Sequence, residues 1–169
     1  LDPNPEISMR FLSESNLFKN CVYCVDGETS TLPGKPYSEY ALKQLLYIQS
    51  FSLTKASKFY FTKREDADTY ALIYTYDGAG YVEYEGKVYH LRSGDGILID
   101  CRKPHLYKTN GHVWEHCVLH FNGQRIQHIY DLFMESNDAS FHETQNSDFH
   151  NALETLIYTY SSLFSQVFF

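Results

Sequence analysis

The histidines in the middle of the chain carry its most versatile chemistry: His90, His105, His116 and His120. His116 and His120 stand four residues apart in an apolar run, so in a strand both point to one face. Neutral imidazoles from neighbouring strands are ligands for zinc, iron or nickel. A small barrel that holds such a metal commonly offers His-x-His and a following Glu on one hairpin. The corresponding stretch here, "GYVEYEGKVYHL", offers His90 alone. Three close ligands are then hard to assemble, and no metal or other cofactor is expected. Taken singly, each histidine reads as a hydrogen-bonded or half-exposed imidazole. Cys21, Cys24, Cys101 and Cys117 form no paired C-x2-C framework and read as reduced thiols. Cys117 adjoins His116, but neighbouring residues of a strand face opposite ways and cannot pair simply as nucleophile and base. No Gly-x-Ser-x-Gly elbow and no phosphate-cradling glycine loop occurs. Enzymatic chemistry is therefore not expected.

Ligand binding is the other chemistry on offer. The chain has 15 tyrosines. In strand register, Tyr70, Leu72, Tyr74 and Tyr76 share one face, and Trp114, His116, Val118 and His120 share another. Faces of Tyr, Trp and His suit a polyhydroxylated ligand, because rings stack while N–H and O–H groups bond hydroxyls. The same rings can equally fill a core. Alternation alone leaves open which face looks inward.

These residues need strands to position them. "TYALIYTY" is β-branched and aromatic, and "DGAG" after it reads as a turn. "YVEY" and "KVYHL" flank Glu85-Gly86, the signature of a tight hairpin. In "LRSGDGILIDCRKPHLYKT", Gly94 suits positive φ and Asp95 can bond back to the backbone. "GILI" is a short apolar strand, broken by Pro104. His105 is placed to support that turn through a backbone hydrogen bond. "HVWEHCVLHF" is the last strand, ended by Asn122-Gly123. Such short, evenly spaced strands predict a small antiparallel barrel or sandwich over residues 49–122. Residues 1–48 read as an arm and lead-in, with "CVYCV" as a strand and "EYALKQLLYI" as a helix capped by Ser38, Leu42, Leu45 and Leu46 along one side.

Residues 123–169 change period. "QRIQHIYDLFM" puts Ile126, Ile129, Tyr130 and Phe133 on one helical face. Ser147 is placed to cap a second helix, with Asp148 in its first turn. Phe149, Leu153, Leu156, Tyr160, Leu163 and Val167 then recur at heptad steps. That stripe either covers the chain's own barrel or meets a second subunit.

The chain's 169 residues bound it to one domain with an appendage, and 43% hydrophobic residues suffice for a core. The net charge of −7 argues against a phosphate-gripping surface. Residues 123–169 hold Arg125 as their one basic residue against six acidic ones, and show no helix-turn-helix. No apolar run approaches a membrane span, and no secretory signal opens the chain. The apolar ends, Leu1 and Phe168-Phe169, suggest a domain cut from a longer protein.

The order of these marks is familiar: G-x-G at Gly78 and Gly80, Glu85-Gly86, Ser93-Gly94-Asp95, Pro104-His105-x-Tyr107, Trp114-x-His116, then His120-Phe121-x-Gly123. Residues 59–123 so marked resemble the cupin-type effector-binding domain of AraC/XylS-family transcription regulators. The resemblance implies a mainly β, cupin-like jelly-roll barrel followed by two α-helices. It implies a small-molecule effector, often a sugar, a homodimer formed through the C-terminal helix, and cytoplasmic location. DNA would be touched only through a domain missing from this chain. Effector binding would shift the populations of arm and tail placements. The family's sugar-contacting Arg, Tyr and His match Arg64, Tyr107 and His116. Where a Trp can stack on the sugar, this chain has Val118, which leaves room for a larger ligand or moves the stacking role to Tyr74 or Trp114. The competing readings are a small metal-dependent cupin enzyme, such as an isomerase or dioxygenase, and a stand-alone carbohydrate-binding module.

Overall fold

A computed structural model of the chain describes residues 20–34, 37–136 and 138–165. Nine strands form one hydrogen-bonded network: β1 (Cys21–Cys24), β2 (Gly27–Pro33), β3 (Leu46–Ala56), β4 (Phe61–Arg64), β5 (Tyr70–Tyr84), β6 (Lys87–Arg92), β7 (Asp95–Asp100), β8 (His105–Gly123) and β9 (Ser140–His142). The helices are α1 (Glu39–Gln44), α2 (Ile126–Ser136) and α3 (Asp148–Ser165). The fold is mainly β, a cupin-like jelly-roll barrel followed by α2 and α3.

Two long strands organise the barrel. β8 pairs with β3, β4 and β5, and β5 also pairs with β6 and β7, all antiparallel. The expected turn at "DGAG" is instead a bulged bend inside a continuous β5. The β5–β8 register shifts between Thr75 and Asp77 and again between Gly78 and Gly80. Glycines serve a bulge as well as they serve a turn. Gly78 has φ +73°, and a Cβ there would lie 2.2 Å from the Val113 carbonyl oxygen. A Cβ on Gly80 would lie 2.3 Å from the Trp114 ring. The G-x-G thus lets β5 lie directly against Val113 and the buried Trp114 ring.

The tight hairpin at Glu85-Gly86 is present, with both residues at positive φ. Asp95 accepts a hydrogen bond from the Arg92 amide. The last strand runs further back than expected, to His105. At the front, the helix capped by Ser38 stops at Gln44 and buries no residue. Leu45 has extended backbone, and Leu46 already belongs to β3. The alternating, β-branched and aromatic run that follows overrides the helical pattern. Leu42, Leu45 and Leu46 are exposed. β3 crosses the expected boundary at residue 48, and β1 and β2 join the sheet through β4 and β3. Residues 20–48 therefore contribute strands to the barrel.

The helices cover the outside of the sheet. Phe51, Tyr74, Cys117 and Leu119 form one outer cluster with Leu153 and Tyr160 of α3. Tyr70 and Leu98 form another with Ile126 and Tyr130 of α2. Ser147 caps α3 by accepting the His150 amide at 3.1 Å. Phe149 packs on Tyr74 and Phe141, with ring centroids 5.7 and 5.1 Å apart. So Phe149, Leu153 and Tyr160 of the heptad stripe cover the chain's own barrel, because its outer face is too apolar to stand in water. Leu156 stays exposed. Leu163 lies within α3, and Val167 falls outside the described residues.

Candidate functional site

The two halves of β8 send alternate side chains into the barrel. The first half contributes His105, Tyr107 and Thr109; the second contributes Trp114, His116, Val118 and His120, and all seven are buried. β4 pairs with the first half and adds Thr62 beside Tyr107 and Arg64 beside His105. Arg64, Tyr107, Trp114, His116 and Val118, five of the six expected ligand residues, thus come together inside. Tyr74 does not. It sits on the opposite face of β5, under α3, where its hydroxyl donates to the Glu143 carbonyl at 2.9 Å. Ala71 and Ile73 take the inward positions of β5 and belong to the barrel core. Both faces of β5 are covered, so its aromatic face was free to lie outside.

Near the bend, the interior is an aromatic box. Trp114 and His116 stack with centroids 3.8 Å apart and an interplanar angle of 19°. Trp114 meets Tyr107 edge-on at 6.3 Å. Tyr60, a residue that no sequence motif signals, closes the box at 5.3 Å from His116 and 6.3 Å from Trp114. The indole N–H donates to the Thr75 hydroxyl at 3.0 Å, which fixes the ring.

His105 and His116 have defined tautomers. His105 Nδ1 faces the Lys103 carbonyl oxygen at 2.8 Å, which is the turn-supporting bond expected of it. His116 Nδ1 faces the Trp114 carbonyl at 3.3 Å. A carbonyl only accepts, so each Nδ1 carries the proton and each Nε2 is a bare acceptor. Burial outweighs the opposing effect of those carbonyls and lowers the pKa of both rings to about 4, and Arg64 adds to the lowering at His105. Burial, then Arg64 and His105, holds His120 well below the ordinary range. All three rings are therefore neutral at pH 7. Burial raises the Tyr60 and Tyr107 phenols, which keep their protons. Burial opposes the charge on Arg64, but Tyr107, Cys21 and Cys101 outweigh it and hold its pKa above the usual value.

Four buried polar atoms of this interior have no hydrogen-bond partner within the protein: His105 Nε2, Thr109 Oγ1, His116 Nε2 and His120 Nδ1. Such atoms typically destabilise a fold by about 1–3 kcal/mol each unless a ligand or water satisfies them. Among the described residues, no three His, Cys, Asp or Glu side chains are grouped to hold a metal ion. The structure has two open concavities, of about 650 and 390 Å³. The first is lined by Arg64, Tyr84 and His105 together with Lys63, Glu83 and Leu106; the second by Thr54, Tyr76, Glu115 and His116.

Comparison with known proteins bears on the family and the fold. Residues 53–167 match the family described as the AraC-like ligand binding domain, and the chain belongs to that family. No curated protein matches it. Among solved structures, YhaK from Escherichia coli is similar at 12% identity, covering 70% of this chain and 52% of that one, with a TM-score of 0.52. That likeness shows the fold alone. An HTH_3 family transcriptional regulator from Vibrio cholerae matches at 16% identity over 60% of this chain and 50% of that one, with a TM-score of 0.41. The Cupin_2 domain of an XRE family regulator from Enterobacter cloacae matches at 16% identity over 54% and 94%, with a TM-score of 0.39. Those two likenesses are too loose to carry an argument. The chain spans about half the length of the Vibrio and Escherichia proteins. Among the described residues, no helix is long and apolar enough to cross a membrane.

Proposed function

We propose that this chain is the effector-sensing part of a cytoplasmic transcription regulator and that its effector is a small polyhydroxylated molecule, a sugar, bound inside the barrel. The observation that carries this reading is the set of unsatisfied polar atoms beside the Tyr60, Tyr107, Trp114 and His116 rings. An aromatic wall stacks on the apolar face of a sugar ring, while neutral imidazoles, phenols and a guanidinium bond its hydroxyls. Trp114 takes the stacking role that Val118 gives up. The domain works by binding, without catalysis and without a cofactor. It forms a homodimer through its C-terminal helix, and DNA is contacted by a separate domain.

The test is a thermal-shift screen against pentoses, hexoses, uronic acids and short oligosaccharides. A ligand at 100 times its dissociation constant should stabilise by about 2.7 kcal/mol. A shift of several degrees with one sugar class, abolished by His116→Ala and weakened by Tyr107→Phe, is expected. A flat screen removes the sugar and leaves the fold untouched.

A further inference from the structure

The unsatisfied atoms fall at two ends of the interior. His116 lies near the bend, in the aromatic box. His105 and His120 lie at the far end of the two β8 halves, beside Arg64. The registers place them: His105 pairs with Arg64 and Tyr84, and His120 with Ala71 and Ser50. Arg64 and His105 both act electrostatically on the His120 ring. The two imidazoles are 4% and 8% exposed, and each keeps one buried nitrogen without a partner in the protein.

We propose that His105 and His120 form a second polar subsite for the far end of the effector, in which His105 Nε2 accepts a hydroxyl donor and His120 Nδ1 hydrogen-bonds a hydroxyl beside it. The inference rests on the reading of the barrel as the effector site. Its chemistry is specific. The His105 proton is committed to the Lys103 carbonyl, so His105 Nε2 requires a donor. An alcohol O–H meets that need; a carboxylate or phosphate oxygen would face a lone pair. The effector therefore presents O–H groups at two separated points, one to His116 and one to His105. Val118 stands on the strand between His116 and His120, and it leaves that stretch free of a large ring.

The experiment is imidazole nitrogen NMR on the whole 169-residue chain, titrated with D-xylose, D-galactose and cellobiose. With any sugar that moves the His116 Nε2 resonance, His105 Nε2 and His120 Nδ1 should move with the same midpoint. Movement of His116 alone overturns the second subsite and leaves the sugar reading standing. If no sugar moves any of the three, both fail. His120→Leu supplies an independent readout. It should weaken binding tenfold or more while the melting temperature of the unliganded protein holds or rises, because it removes a polar atom without a partner. Unchanged affinity with a lowered melting temperature would make His120 structural and overturn the proposal.

Discussion

His105 and His116 link the site to the stability of the fold. Their pKa values sit near 4 in the folded chain, against 6.5 for the free group. Between those values the unfolded chain binds more protons, so stability rises with pH. The contribution is fully present above about pH 6.5 and is lost as pH falls towards 4, at about 1.4 kcal/mol per pH unit for each titrating ring. Urea unfolding should therefore show a lower midpoint at pH 5 than at pH 7. His116→Gln should flatten that dependence, and identical pH profiles for variant and parent would remove burial of His116 as a cause. The sequence made the types and order of these residues legible, including Arg64, Tyr107 and His116. It concealed Tyr60, which precedes a short strand in no recognisable pattern. It also concealed the sidedness of Tyr74, because Tyr70, Leu72 and Tyr74 are as apolar as the inward Ala71 and Ile73.

At the scale of elements, the bend in β5 and β8 decides the geometry. The sequence placed the strands well, since β-branched and aromatic runs and the Glu85-Gly86 hairpin are local signals. It could not separate a bulge from a turn at Asp77–Gly80, because both need backbone without a Cβ and only cross-strand pairing distinguishes them. Gly80→Ala should show what the bend requires. A methyl group there overlaps the Trp114 ring, and overpacking of this kind destabilises by about 1–3 kcal/mol. Trp114 is the sole tryptophan, so its fluorescence should shift in the same variant. A Gly80→Ala protein with native stability and emission would show that the indole has room to retreat.

For the whole molecule, the proposed homodimer must use surface that α3 has not already committed. Phe149, Leu153 and Tyr160 are turned to the barrel, while Leu156 and Tyr158 face outward, Tyr158 at 76% exposure. Light scattering should give twice the 19.7 kDa chain mass, and Leu156→Glu with Tyr158→Glu should return it to the monomer. A monomeric parent would remove the self-association. The pairing of β8 has a further consequence, for synthesis on the ribosome. β3, β4 and β5 all have β8 as a principal neighbour, and β8 is translated after all of them. Before it emerges, the nascent chain can form only the pairings that do not involve β8, such as β5 with β6 and β7, β2 with β3 and β1 with β4. Non-local pairings form slowly and leave strand edges open in the meantime. Barrel closure is thus a late event in the life of the nascent chain, and a product released before Gly123 would carry a half-built sheet with its edges available to its neighbours.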